Sequence, residues 1–139
     1  MGPKFLNSGK VLPAKANLPF SEAVRVGNLI YLSGQIGNMP GTLELVPGGI
    51  KAEAKQVMEN IKTSLAAHGL SMSQVVKCTV MLADIKEWEA FNEVYQTYFV
   101  VGNFPARSAF GTSGLGLNAR VEVECIAVAT DRMAGLVGK

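Results

Sequence analysis

At 139 residues, 48% hydrophobic and 17% charged, the chain has the makeup of one globular domain, residues 1–139, with a sizeable core. Lysine and arginine exceed aspartate and glutamate by only two, with no block of like charge, which argues against a nucleic-acid stripe or a polybasic membrane patch. The N-terminal MGPKFLNSGKVLP lacks the apolar core of a signal peptide and no apolar run is long enough to span a bilayer, so the expected setting is the cytoplasm.

In AVRVGNLIYLSGQIG, two β-rich runs flank Gly27-Asn28, a connection suited to the primed turns of a β-hairpin. NMPGTLELVPGG is dense in turn residues and reads as a loop. In IKAEAKQVMENIKTSLAAHG, Ile50, Ala54, Val57, Met58, Ile61 and Leu65 recur at helical spacing, and Gly69 closes the helix. His68, in its last turn, reads as a solvated or dipole-favoured imidazole.

VVKCTVML alternates as a strand, with Val76, Cys78, Val80 and Leu82 on one face and Lys77, Thr79 and Met81 on the other. Asp84 and Glu87 read as a cap and its reciprocal partner opening a second helix, whose Trp88, Phe91, Tyr95 and Phe99 form a core-packing stripe. PARSAF and ARVEVECIAVA complete the set as strands. This order predicts an α+β domain with a mixed sheet and both helices on one face. The other face then carries Arg120, Glu122, Glu124, Ile126 and Val128, a mixture that suggests self-association.

Cys78 and Cys125 stand far apart in sequence, outside any C-x-x-C pair, and read as buried reduced thiols. A single histidine and no histidine–cysteine cluster predict no metal site. GTSGLGLNA resembles a phosphate-cradling loop, but a strand follows it instead of a helix, so it reads as an inter-strand connection. Ser108 and Ser113 lack an activating histidine and a nucleophile-elbow spacing.

Arg107, inside the apolar FPARSAF, is the residue that demands a partner, because a guanidinium enters such a setting only when paired. One reading is an ion pair with Glu122 or Glu124 across adjacent strands. The other is a fork held for a ligand carboxylate, with Glu122 to hold a water and Ser33-Gly34 to bring backbone amides near a small acid.

The segments PFSEAVRVGNLIYLSGQIG, QVMENIKTSLAAHG, FNEVYQTYF, FPARSAF and RVEVECIAVA, in that order over nearly the whole chain, resemble the RidA/YjgF family of reactive-intermediate deaminases, also labelled endoribonuclease L-PSP. The resemblance implies a chorismate mutase-like fold assembled as a homotrimer, with ligand clefts between subunits. It implies hydrolysis of 2-imino acids or their enamine tautomers, such as 2-aminoacrylate, to 2-keto acids and ammonium, without a cofactor. By the same resemblance Arg107 grips the substrate carboxylate, Glu122 orients or activates water, and Ser33, Gly34, Asn92 and Ala109 line the pocket. Two positions depart from the pattern: Phe20 stands where deaminase-active members commonly have tyrosine, and Ala109 where many have cysteine. Two other readings are a non-catalytic trimer that binds small carboxylates and an endoribonuclease or translation inhibitor. The near-neutral charge and lone histidine give the latter little purchase on RNA.

Overall fold

Strict alternation of buried and less buried residues along VEVECIAV builds the central strand of the sheet, with Val121, Val123, Cys125 and Ala127 turned to the core. The structure, a computed structural model, describes residues 2–130; residue 1 and residues 131–139, included in the expected domain, lie outside the described residues. In chain order the elements are β1 (Lys4–Leu6), β2 (Ala23–Val26), β3 (Leu29–Leu32), α1 (Ile50–Ala67), β4 (Val75–Leu82), α2 (Trp88–Tyr95), β5 (Ala106–Gly111) and β6 (Val121–Val128). The sheet order is β1-β2-β3-β6-β4-β5. Among the described residues only β4 and β5 pair in parallel, the pairing that the α2 crossover requires.

The expected mixed α+β architecture is therefore observed. Val57, Met58, Ile61 and Leu65 of α1 and Phe91 and Tyr95 of α2 share one core with the inward residues of β4 and β6, so both helices cover the same sheet face. Gly27 takes φ +60° at the hairpin tip while Asn28 does not, the pattern of a type II′ turn. Gly69, at φ +80°, ends α1 with Leu70 N–H on Leu65 O and Gly69 N–H on Ala66 O, a Schellman closure.

Several details differ from the sequence reading, each for a local reason. A bulge between Val75 and Lys77 turns Val75, not Val76, into the core. Asp84 caps a short 3-10 turn by accepting from Lys86 N, and α2 starts only at Trp88. Glu87 is not a reciprocal cap, because its carboxylate takes both hydrogen bonds from Arg120 Nη1. Arg120 accordingly precedes β6 and is not part of the outer sheet face.

α1 also buries polar residues. Asn60 donates to Ile36 O and Asn38 O and so fastens the loop after β3. Glu22, 2% exposed, accepts from Ser8 N, Ser8 Oγ and Ser64 Oγ, and pairs with His68 Nε2 at 2.9 Å. His68 is thus a partner of a buried carboxylate, not a solvated terminus.

Burial works against the Glu22 charge, yet the bonds from Ser64, His68 and Ser8 outweigh it and hold the carboxyl below its ordinary value of 4.5. A depressed carboxyl stabilises the fold above its unfolded pKa, and that stabilisation disappears as pH falls through the folded value. Glu22→Ala strands the serine and histidine donors, and thermal melts at pH 7 are expected to show a loss of about 3–5 kcal/mol. The deficit should narrow in melts taken well below pH 4.5. A melt unchanged at pH 7 would contradict the anchoring role.

Candidate active site

Arg107 lies on β5, an edge strand whose register sets it beside Cys78 of β4 and on the helix-covered side of the sheet. Its Nη1 donates to Asn92 Oδ1 at 2.7 Å, one turn into α2. The guanidinium carbon rests 4.8 Å from the Tyr95 ring centre and 5.8 Å from that of Trp88, so two aromatic faces support the charge. None of the ion pairs among the described residues involves Arg107. The partner supplied by its own chain is neutral, which leaves the fork without a carboxylate. Asn92, Tyr95, Gln96, Phe104, Pro105 and Arg107 line a cleft of about 270 Å³. Ala109, two residues on and half-buried, packs against the core.

Glu122 occupies the opposite face. It is flanked along β6 by inward Val121 and Val123, and across the sheet it is in register with Met81 and, through that strand, Phe110. The pairing of β3 with β6 slips by one residue between Tyr31, opposite Ile126, and Gln35, opposite Val123. Gly34, in this irregular stretch, lies against the Glu122 carboxylate. A Cβ on Gly34 would overlap the carboxylate, the Cδ of Glu122 being 2.8 Å from that position, so only glycine allows this approach. Burial, reinforced by the like charge of Glu124, holds the Glu122 carboxyl above its ordinary value.

Ser33, next in the chain to Gly34, ties the hairpin end to the segment before β2, its N–H donating to Glu22 O. Its hydroxyl is committed to Ser21 O at 2.6 Å. Phe20, 48% exposed, immediately precedes Ser21.

The residues singled out in the sequence thus fall into two groups, Arg107, Asn92 and Ala109 on one side, and Glu122 with Gly34 and its chain neighbour Ser33 on the other, while Phe20 lines a separate cleft with Leu18 and Glu22. An Arg107 pair with Glu122 or Glu124 across adjacent strands does not form, because β4 separates β5 from β6 and the side chains point to opposite faces. Sequence reasoning also missed Trp88 and Tyr95 as supports of Arg107. The available signal was the aromatic stripe of Trp88, Phe91, Tyr95 and Phe99, with Phe104-Pro105 following it next to the arginine itself. Among the described residues, no group of three or more His, Cys, Asp or Glu side chains is arranged to hold a metal ion, and no helix is long and apolar enough to cross a membrane.

The Endoribonuclease L-PSP family pattern matches residues 12–129. The chain belongs to the Endoribonuclease L-PSP family. Among L-PSP family relatives, the 2-iminobutanoate/2-iminopropanoate deaminase of Mus musculus is 47% identical over 110 residues, covering 79% of this chain and 81% of that protein. The crystal structure of yeast Mmf1 superposes with a TM-score of 0.84 at 37% identity, covering 93% of this chain and 100% of that one. The E. coli TdcF structure with bound serine gives a TM-score of 0.81 at 30% identity, covering 91% and 99%. The L-PSP fold expected from the sequence is thus the fold observed.

Proposed function

We propose that the chain is an imine deaminase that hydrolyses small reactive 2-imino acids, and their enamine tautomers such as 2-aminoacrylate, to 2-keto acids and ammonia in the cytoplasm. The observation that carries this reading is Arg107, a fork resting on aromatic rings at the mouth of a cleft with no carboxylate from its own chain. The substrate's carboxylate is the missing partner. Relatives 46–49% identical that bear the 2-iminobutanoate/2-iminopropanoate deaminase name support the choice of reaction.

Arg107 and Glu122 act together only if one copy supplies the arginine and a neighbour the glutamate, which is what a homotrimer with clefts between subunits provides. The outer sheet face favours such an assembly. Val26, Leu29, Tyr31 and Phe110 are each 38–46% exposed there, beside Ile126 and Val128. In the cleft, Arg107 holds the carboxylate through two parallel hydrogen bonds. Glu122 passes a proton from water to nitrogen as the water oxygen attacks the imine carbon, giving a carbinolamine, and then moves the hydroxyl proton to nitrogen as C=O forms, the C–N bond breaks and ammonia leaves. The imine carbon is already electrophilic, so positioning and electrostatic support suffice and no cofactor is required. Gly34 and Ala109 contribute backbone to the walls, while Asn92 holds the arginine.

The test couples an amino-acid oxidase, which generates imino acids, to the purified protein and follows their decay. Acceleration is expected, together with a light-scattering mass three times 14.7 kDa. Phe20→Tyr, which restores a phenolic hydroxyl at the cleft rim, should match or exceed the wild-type rate. The second reading, a small-acid binder without turnover, is favoured by the serine bound in the TdcF structure. No acceleration with any of several imines, while 2-keto acids still bind, would establish it, and a stable monomer would remove the shared cleft.

A further inference from the structure

Cys78 and Cys125, 47 residues apart in the chain, meet at the centre of the sheet as register partners on β4 and β6. Both are buried, and their sulfurs are 3.0 Å apart as free thiols. The pair abuts the Arg107 group. Cys78 is also the register partner of Arg107, and the buried Tyr95 hydroxyl, which has no nitrogen or oxygen partner among the described residues, faces the Cys78 sulfur. The ring of that tyrosine carries the guanidinium.

We propose that Cys78 and Cys125 form a reversible dithiol–disulfide pair, oxidised by a small peroxide and read out at Arg107 through Tyr95.

Buried thiols are ordinarily inert, and two features separate this pair from that rule. The two sulfurs share a hydrogen bond in which either S–H can donate, and that bond with the nearby positive charges of Arg107 and Lys77 holds the Cys78 thiol below its ordinary value despite burial. The same bond and burial push the Cys125 thiol up. Cys78 is therefore the attacking sulfur and Cys125 the resolving one. A second sulfur also stands ready, about 1 Å beyond the disulfide bond length of roughly 2.05 Å.

The Cys78 thiolate attacks one oxygen of hydrogen peroxide, the O–O bond breaks, and hydroxide leaves to take up the thiol proton as water. The Cys125 sulfur then displaces the oxygen of the Cys78 sulfenic acid, and its proton departs with that oxygen as a second water. In sum, two thiols lose two hydrogens and one peroxide becomes two waters. The opening nearest the pair is the cleft lined by Asn92, Phe104, Arg107 and Tyr95, the last of which lies against Cys78. Drawing the two sulfurs together removes the thiol facing Tyr95 and shifts the ring that supports Arg107.

The effect on catalysis rests on the deaminase reading, whereas the cross-link and its effect on Trp88 do not. The fully reduced protein is titrated with hydrogen peroxide and followed by non-reducing peptide mapping, by emission of Trp88, the single tryptophan, and by imine hydrolysis. The expected result is a linked peptide pair carrying residues 78 and 125, lighter by two hydrogens, with changed emission and about a tenfold loss of hydrolysis. Dithiothreitol should reverse all three. Cys125→Ser and Cys78→Ala, each checked for folding by melting, should abolish the response. A folded protein whose methionines oxidise while no 78–125 link forms would overturn the proposal, as would a link that leaves Trp88 emission unchanged. A link with changed emission in a protein that never hydrolyses imines would sink the deaminase reading and leave the dithiol pair standing.

Discussion

Arg107→Lys is expected to lower kcat/KM for a small imino acid by roughly ten- to a hundredfold or somewhat more, about 1.5–3 kcal/mol of transition-state stabilisation. Lysine keeps the charge but loses the fork, and it cannot lie flat on Tyr95 while donating to Asn92 as arginine does. Arg107→Ala should do worse. Both variants should stay assembled and melt within about 8 °C of wild type, since no carboxylate of the chain is stranded and the losses, two cation–π contacts and the bond to Asn92, come to about 1–2 kcal/mol. An arginine that held the fold through a buried ion pair would instead cost about 3–5 kcal/mol on removal. Melts and imine assays on the same samples separate the cases. A large fall in melting temperature would end the carboxylate-clamp role, and a stable, inactive Arg107→Ala would support it.

The second large effect is expected at Glu122. Glu122→Gln keeps the shape beneath Gly34 but removes the base, and kcat should fall by about 10²–10⁴. The stability effect has the opposite sign. A carboxyl whose folded pKa is raised contributes stability below its unfolded pKa and loses it as pH rises through the folded value. The glutamine variant should therefore melt at or above wild type at pH 7, with the difference vanishing well below pH 4.5. Activity needs the ionised form, so the wild-type rate should fall as pH drops through that raised value, and the acid limb should be missing from the residual rate of the variant. A glutamine variant with wild-type kcat would exclude Glu122 as the base.

What the sequence made legible was local and periodic. The α1 stripe, the Gly27 turn and the alternation of β6 each depend on residues within a few positions of one another, and each stands as expected. β1 was missed because a three-residue edge strand has too few positions to show a period. The Val75 bulge was missed because alternation cannot report an inserted residue until the partner strand is known.

The site was harder to read for the same reason. Arg107 stood out as a charge in an apolar run, but its neighbours Asn92 and Tyr95 come from a helix whose rotation about its axis the chain does not declare. The fork could be recognised as chemistry without its surroundings being known. Glu22 with His68, and Cys78 with Cys125, are pairs 46 and 47 residues apart, and only the assembled sheet and helix bring them together.

The placement of Arg107 and Glu122 on opposite faces of one sheet has a genetic consequence. In a trimer whose clefts draw one residue from each of two copies, a subunit lacking its arginine and a subunit lacking its glutamate carry complementary defects. Neither works alone, yet any ring containing both types has one boundary at which the intact arginine of one copy meets the intact glutamate of the other. Co-expressing or co-refolding Arg107→Ala with Glu122→Gln should therefore recover activity that neither parent has, an inter-allelic rescue that a site contained within one chain cannot show.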